Sequence, residues 1–288
     1  MRRAWPWIWG VVGVGAVIGI WELYKAFGPA DGVTVGGMLI LPRAHDRSMP
    51  HVWDMLARLA APTLGEGTPP LWLTVLQGLV VTLGIAALGL AIGLVVGVLL
   101  ALLMERARVL EWGILPWVVV SQTVPLIAFA PVISTIGKQI DRGGFPFPEW
   151  LSVAVVASYL AFFPIAVGVL RGLQAPDRIH LELMRTYAAG YGATLRKLRV
   201  PAAIPYFLPA LKLAAANAVI GAIVAEVSIG MPGGLGRMFI QFASSASADP
   251  ALPWAPMFGA VVLGFVAAGS VALLGFVLKN YRRGEAVA

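Results

Sequence analysis

Residues 67–104 read GTPPLWLTVLQGLVVTLGIAALGLAIGLVVGVLLALLM and contain no Asp, Glu, Lys or Arg. A helix needs about 20 apolar residues to cross the hydrocarbon core of a bilayer, so this stretch is long enough to span it. Three further stretches without these four residue types are also long enough, namely 112–137, 150–170 and 250–278. We therefore predict four membrane-spanning segments here.

Two more segments complete the predicted set of spans. One covers 7–27, and the other covers 204–229 and carries Lys212 and Glu226. All six runs are continuously apolar rather than alternating, which favours helices over a β-barrel. The predicted fold class is all-α, a polytopic membrane protein with about six transmembrane helices.

The composition of the 288-residue chain agrees with a bilayer environment. It is 59% apolar and 12% charged, with a mean hydropathy of +0.85, so it has too few charges to cover a soluble globule. The absence of cysteine excludes disulfides, thiolate metal sites and cysteine nucleophiles. The net charge of +7 follows the loops, so we predict the lipid bilayer and no nucleic acid as a partner.

The basic residues also predict an orientation. With six spans, 13 of the 21 Lys and Arg residues fall on the side of the N-terminus. The positive-inside rule then places both termini in the cytoplasm. Arg2 and Arg3 before an apolar run resemble a secretory signal, but the run continues to Trp21 with no small-x-small cleavage site. We therefore predict an uncleaved first span.

This topology places 28–70, 138–149 and 230–252 on the outer face. We predict an N-terminal region, 1–70, consisting of the first span and a long extracytoplasmic loop, and a core of 71–288. Within the loop, apolar residues of 51–60 recur at helical spacing, which indicates a short helix, either interfacial or packed within the loop.

Small and polar residues mark individual spans. Gly89, Gly93 and Gly97 form a small-xxx-small stripe that lets another helix approach closely. The 112–137 span contains three prolines around Ser121-Gln122-Thr123, a combination that kinks a helix and frees backbone groups. Polar groups in the spans are candidates to line a transport path, with packing or interhelical hydrogen bonding as the alternative for each: Gln122, Thr123, Ser158, Tyr159, Asn217 and Glu226.

The longest predicted cytoplasmic segment is 171–203, which is rich in basic residues and helix formers. One interpretation is a topogenic anchor beside anionic lipid. However, its residues 182–201 read ELMRTYAAGYGATLRKLRVP, which resembles the EAA loop of binding-protein-dependent ABC importer permeases. Glu182 and Pro201 match that pattern, whereas Leu183-Met184 replaces the usual Ala pair and Ala188 stands where the family usually has Gly.

The resemblance covers about residues 70–280. QTVPLIAFAP at 122–131 and AFFPI at 161–165 fit the family, while GAIVAE at 221–226 and GGLG at 233–236 resemble its nitrate, sulfonate and taurine branch. That branch also includes transporters of vitamin-like compounds. The resemblance implies the transmembrane domain of a type I ABC importer, with 71–288 as the permease core and 171–203 as its cytoplasmic coupling loop.

The resemblance further implies partners and a location. These are a cytoplasmic ABC ATPase dimer, a second permease that is identical or homologous, and an extracytoplasmic solute-binding protein, in the bacterial inner membrane. A short coupling helix within 185–191 is expected to dock on the ATPase. The docking residues implied are Glu182, Arg185, Thr186, Tyr187, Ala188, Ala189, Gly190 and Tyr191.

No part of the sequence predicts catalysis. The phosphate-binding pattern G-x-x-x-x-G-K-[ST] is missing, so ATP and Mg are expected on the partner ATPase, with no cofactor in this chain. His45, His51 and His180 lack metal-ligand spacing, so no metal site is predicted. A six-helix secondary transporter or channel remains the main alternative, followed by a membrane enzyme, although neither duplicated halves nor a catalytic cluster is visible.

Overall fold

A computed structural model describes residues 5–63, 65 and 67–277, and helices dominate it. The terminal basic residues that supported the predicted orientation, Arg2, Arg3, Lys279, Arg282 and Arg283, lie outside this described part. The elements in chain order are α1 (Trp5–Phe27), β1 (Val33–Val35), β2 (Met38–Leu41), α2 (Val52–Ala60), α3 (Leu71–Arg106), α4 (Arg108–Ser121), α5 (Leu126–Arg142), α6 (Glu149–Gln174), α7 (Arg178–Thr186), α8 (Tyr191–Thr194), a π-helical turn (Leu195–Arg199), α9 (Val200–Ile229), α10 (Leu235–Ala243) and α11 (Trp254–Val277).

Among the described residues, five continuous helical segments are long and apolar enough to cross a membrane: Ile8–Phe27, Leu71–Arg106, Glu149–Gln174, Tyr191–Ile229 and Trp254–Gly275. The all-α prediction is therefore confirmed. The helix predicted within 51–60 is also present, as α2. In contrast, the predicted span 112–137 is not one helix, because α4 and α5 meet at an angle of 101°.

The break between α4 and α5 follows from Pro125. Proline has no N–H to donate and restricts the residue before it to extended backbone, so a helix ends ahead of it. Residues 122–124 form a turn in which Val124 N–H donates to Ser121 O at 3.3 Å, and Pro125 then caps the start of α5. Pro116 and Pro131 instead lie inside α4 and α5.

The described chain divides into two compact units. The first consists of the described residues within 5–76 together with 238–259, and the second contains 77–237 together with 260–277. In the first unit Arg58 Nε pairs with Asp249 Oδ2 at 2.5 Å, and the ring of Trp254 packs edge-on against Trp21.

In the second unit, small residues bring α3 and α6 together. A Cβ added to Gly89 would lie 2.5 Å from Ala157 Cβ, and one added to Gly93 would lie 2.8 Å from Ala161 Cβ. The glycine stripe therefore serves close helix packing, as predicted. Because the contacting numbers rise together, α3 and α6 run parallel.

The antiparallel neighbour of α6 is α9. An added Cβ at Gly172 would lie 2.7 Å from Ala203 Cα, and one at Gly221 would lie 2.9 Å from Ala157 Cα, so the numbers run in opposite directions. The α4–α5 pair connects the end of α3 to the start of α6. Since α3 and α6 are parallel, those two points lie at opposite ends of the unit, and the bent pair crosses it as a single broken span.

Candidate functional site

The segment between α6 and α9 presents an exposed helix. None of the residues of α7 is buried, and Ile179 and Leu183 are 71% and 51% exposed. These two side chains line a surface groove of about 470 Å³ with His180, Glu182 and Thr186. The Glu182 carboxylate makes a long ion pair with Arg178 at 3.9 Å, and both side chains are exposed. An exposed amphipathic helix of this kind has the composition of a surface that binds another protein.

The helix expected within 185–191 is not where the sequence placed it. The structure ends α7 at Thr186 and begins α8 at Tyr191, so most of the range is the turn between two helices. The predicted docking residues accordingly lie on the end of α7, on the turn 187–190 and at the start of α8.

The turn forms a Schellman motif, which explains why α7 stops. Ala188 N–H donates to Arg185 O at 2.8 Å, and Ala189 N–H donates to Met184 O at 2.9 Å. Ala188 has a φ of +51° and is the one non-glycine residue with a positive φ in the described part of the chain. The motif normally has Gly at this position, because a Cβ is strained in the left-handed region. Gly190 does not supply this conformation, since its φ is −66°.

Replacing Ala188 by Gly is expected to stabilise this turn by roughly 1 kcal/mol, because the Cβ strain of the left-handed conformation disappears. Hydrogen–deuterium exchange of the amides at 188 and 189 should then slow by about fivefold. The matched control is Ala189→Gly, which removes no left-handed strain and should speed exchange. Equal effects of the two changes would contradict the strain at Ala188.

A charge cluster around the buried Glu105 side chain joins the end of α3 to α8 and to the last residue of the π-helical turn. Glu105, whose side chain is 1% exposed, pairs with the Arg199 guanidinium. It also accepts a 2.5 Å hydrogen bond from Tyr191 Oη, and the Arg106 guanidinium lies 4.5 Å from the centre of the Tyr191 ring. Arg199 Nε is buried without a hydrogen-bond partner among the described residues. The cluster thus ties α3 to α8 and to the entry of α9.

Sequence reasoning placed Tyr191 on the docking segment but missed Glu105 and Arg199. Arg199 had been counted only among the basic loop residues and Glu105 had not been singled out, and their positions are 94 residues apart in the chain. The π-helical turn beside them would have been a signal, because such turns are frequent at functional sites, but it is visible in the structure and not in the sequence.

Polar and aromatic groups meet at the break between α4 and α5. Tyr159 Oη on α6 donates to Ser121 O at the end of α4, and the Gln122 amide nitrogen lies 3.2 Å from Ser121 Oγ. The ring of Tyr159 lies 4.7 Å from that of Phe129 and 5.9 Å from that of Phe162, measured between centroids. We call these five residues the break cluster. Irregular backbone at membrane depth is tolerated where it is covered by protein or lines a cavity.

The remaining candidates for a transport path are spread over other contacts. Asn217 Nδ2 on α9 donates to Leu160 O on α6 at 3.2 Å, which is an interhelical hydrogen bond. Ser158 Oγ and Thr123 Oγ1 donate to carbonyls of their own helical turns, those of Val155 and Val120. The structure therefore brings Gln122 and Tyr159 together, and leaves Ser158, Thr123 and Asn217 in separate contacts.

Glu226 lies in a fully buried hydrogen-bond network that we call the Glu226 clamp. Thr82 Oγ1 on α3 donates to the carboxylate, with distances of 2.9 and 3.0 Å to its two oxygens. Gly236 N–H donates to Oε2 at 2.8 Å, and Leu235 N–H donates to Thr82 Oγ1 at 2.9 Å. Thr82 and Glu226 are both 0% exposed. The clamp fastens the start of α10 to α3 and α9.

The sequence singled out Glu226 but not its partner. A lone threonine in an apolar span carries no local signal, and the contact joins positions 144 residues apart. The turn between Gly230 and Leu235 makes the network possible, because Gly230 ends α9 with a φ of +75° and so reverses the chain.

Comparisons with known proteins agree with this architecture. The model of a family described as the binding-protein-dependent transport system inner membrane component matches residues 93–281. The chain is 36% identical over 206 residues to the formylaminopyrimidine transport permease protein ThiX of Halalkalibacterium halodurans, covering 70% of this chain and 76% of that protein.

A relative and a solved structure of lower sequence identity also match the chain. The chain is 27% identical over 156 residues to the putative aliphatic sulfonates transport permease protein SsuC of Bacillus subtilis, covering 54% of this chain and 53% of that one. A crystal structure of an amino acid ABC transporter with histidines matches with a TM-score of 0.56 and 20% identity, covering 74% of this chain and 94% of that chain. At that identity the likeness shows the fold, which is that of a type I ABC importer permease.

Proposed function

Because the chain belongs to the family of binding-protein-dependent transport system inner membrane components, we propose that it forms half of the translocation path of an ATP-driven importer. In this proposal it pairs with an identical or homologous permease, a cytoplasmic ATPase dimer that binds ATP and Mg, and an extracytoplasmic solute-binding protein. Both termini then lie in the cytoplasm of a bacterial cell, with 28–70 outside. The observation that carries the proposal is the exposed α7 and the turn after it.

The exposed segment suits docking on an ATPase for two physical reasons. Ile179 and Leu183 offer exposed apolar surface, and the small residues Ala189 and Gly190 allow a partner to approach the backbone closely. Movement of this segment would pass to α9 through α8 and the π-helical turn, where Tyr191 and Arg199 contact Glu105. Differential binding of ATP to the inward-open and outward-open conformations drives alternating access.

Introducing bulky charge into this turn tests the docking. Changing both Ala188 and Ala189 to Glu is expected to abolish co-purification of the ATPase and ATP-dependent uptake into proteoliposomes, because two carboxylates would be desolvated against the partner. The control is Ala248→Glu in the exposed segment after α10, which should keep both properties. Uptake that proceeds without any ATPase would favour the secondary transporter instead.

For the solute, we favour a neutral heteroaromatic compound over an organic anion. The break cluster offers the rings of Phe129, Tyr159 and Phe162 beside the Gln122 amide, and these four side chains carry no charge. Rings stack on planar heterocycles, while an amide pairs with ring nitrogens and exocyclic amino groups. The relative named for formylaminopyrimidine transport supports the same choice.

The solute class is tested by stimulation of ATP hydrolysis in the reconstituted complex. A formylaminopyrimidine with its binding protein should stimulate hydrolysis, whereas an aliphatic sulfonate with its own binding protein should not. Tyr159→Ala is expected to reduce the stimulated rate by roughly fivefold, since a stacking interaction contributes about 1 kcal/mol. If the sulfonate with its binding protein stimulates hydrolysis and the formylaminopyrimidine does not, the solute assignment is overturned and the importer function is left intact.

A further inference from the structure

A β-hairpin of unusual composition follows α1 directly. Its strands β1 and β2 pair antiparallel, with Val35 opposite Met38. Gly36 and Gly37 form the two-residue turn with φ values of +60° and +83°, the combination that a type I′ hairpin turn requires. All seven strand residues are exposed, and six of them are apolar: Val33, Val35, Met38, Leu39, Ile40 and Leu41.

The apolar side chains occupy both faces of the hairpin. The pairs Val33–Leu41 and Val35–Met38 lie on one face and the pair Thr34–Leu39 lies on the other, while Ile40 is the extra residue of a bulge. Met38 is 76% exposed and Leu39 52% exposed. A sheet that docks on one protein surface needs a single apolar face, and an isolated two-stranded hairpin of this kind is marginal in water. A hairpin with exposed apolar side chains on both faces is suited to lipid, which can surround it, better than to a single protein surface.

The chain that leaves the hairpin packs back along the outer turns of α1. Tyr24 Oη donates to Pro42 O at 2.7 Å, and Trp21 Nε1 donates to Pro50 O at 3.1 Å. Leu39 lines a cavity of about 470 Å³ together with Trp21 and Tyr24. Since a helix rises 1.5 Å per residue, Trp21 lies about 9 Å along the helix axis from the end of α1 at Phe27. The hairpin base is therefore level with the last turns of a membrane-spanning helix.

The exposed surface of α1 continues into the hairpin. Val17, Ile20 and Phe27 are 68%, 68% and 85% exposed, as expected for a helix that faces lipid. Trp21 and Tyr24 are the residue types that concentrate at membrane interfaces. Charged residues appear only at the hairpin's base, where Asp31 and Arg43 flank the apolar run. This sequence of lipid-facing helix, aromatic belt and apolar hairpin runs without a break in the first unit.

We propose that the hairpin 33–41 inserts its apolar side chains into the bilayer, in the leaflet at which α1 ends. Its strands lie at the boundary between headgroups and acyl chains, and Asp31 and Arg43 stay in the headgroup region. The pairing of Lys25 Nζ with Asp46 Oδ1 at 2.5 Å and with Met49 O at 2.7 Å holds the following loop against α1 and so fixes the depth of the hairpin. The hairpin lies outside the region matched by the family model.

The lack of cysteine allows a direct test by site-directed spin labelling. Met38→Cys and Ile40→Cys place nitroxide labels on the hairpin, and Arg47→Cys places one on an exposed site of the following loop. The full chain is reconstituted in liposomes of phosphatidylethanolamine and phosphatidylglycerol. Power saturation then compares the accessibility of each label to oxygen, which partitions into lipid, with that to a water-soluble nickel chelate.

The expected result is an oxygen-to-nickel accessibility ratio several-fold higher at 38 and 40 than at 47. Adding Ile40→Asp to the Met38→Cys chain should bring the ratio at 38 down to that at 47, because a carboxylate does not enter the acyl region. Nickel accessibility at 38 and 40 equal to that at 47 would overturn the proposal. So would protection that appears only with a solute-binding protein, or spin–spin broadening that vanishes on dilution with unlabelled chain, which would indicate a second copy.

Discussion

Replacing Thr82 by Val is expected to destabilise the protein by about 3 kcal/mol, although the two side chains have the same shape. The change removes the hydroxyl that donates to the Glu226 carboxylate and accepts from Leu235 N–H. It leaves a buried carboxylate with one donor fewer and a buried N–H with none, and each such group costs about 1–3 kcal/mol. Thermal unfolding of the purified chain in detergent measures the loss.

Thr82→Ser is the matched control, because serine keeps the hydroxyl and loses only a methyl group. It should unfold within a few degrees of the original protein, whereas Thr82→Val unfolds well below it. A double-mutant cycle with Glu226→Ala should be strongly non-additive, since either change alone already breaks the same network. Additive losses, or equal effects of Val and Ser, would show that the Glu226 clamp does not act as a unit.

The same substitution should also reduce transport. The clamp fastens the start of α10 to α3 and α9, so its loss frees the turn between α9 and α10. We expect ATP-dependent uptake by Thr82→Val to fall even at temperatures where the chain remains folded. Thr82→Ser should retain uptake, which separates the effect of the hydroxyl from that of side-chain volume.

The parts of the fold that are predictable from the sequence are those set by local composition. Continuous apolar runs specify spans because a helix in lipid must satisfy its own backbone, and residues 67–104 accordingly lie largely within α3. The spacing of Gly89, Gly93 and Gly97 specifies a packing face, because residues four apart lie on one side of a helix and let another helix approach closely. Both predictions needed only information contained within one helix.

The parts that were not predictable depend on backbone geometry or on distant partners. The three prolines of 112–137 indicated a kink, but the 101° angle arises from the whole turn at 122–125. The helix expected within 185–191 is not formed there, because the hydrogen bonds of the Ala188 and Ala189 amides end α7 at Thr186. Thr82 and Glu105 were missed because their partners lie far away in the sequence.

Replacing Glu105 by Ala is expected to uncouple ATP hydrolysis from uptake. Glu105 is the buried acceptor for both Arg199 and Tyr191, so its removal leaves a partly buried guanidinium without its counter-charge. Breaking one partner of such a pair costs about 3–5 kcal/mol. In the proposed importer this loss falls mainly on one conformation of α7, the turn 187–190 and α8, so we expect uptake to fall by a factor on the order of 100. Solute-stimulated ATP hydrolysis and uptake, measured on the same proteoliposomes, provide the test.

The control for charge alone is Arg178→Ala, which breaks an exposed pair with Glu182 that contributes at most about 0.5 kcal/mol. It should leave coupling intact. Folding is separated from coupling by Glu105→Leu combined with Arg199→Leu, which removes both charges and should restore the unfolding temperature. Uptake should nevertheless remain low in this double variant, because Tyr191 has still lost its link to α3. Restored uptake would mean that the cluster only stabilises the fold, and that in the proposed importer any motion of α7 and the turn 187–190 reaches the spans through α9 alone.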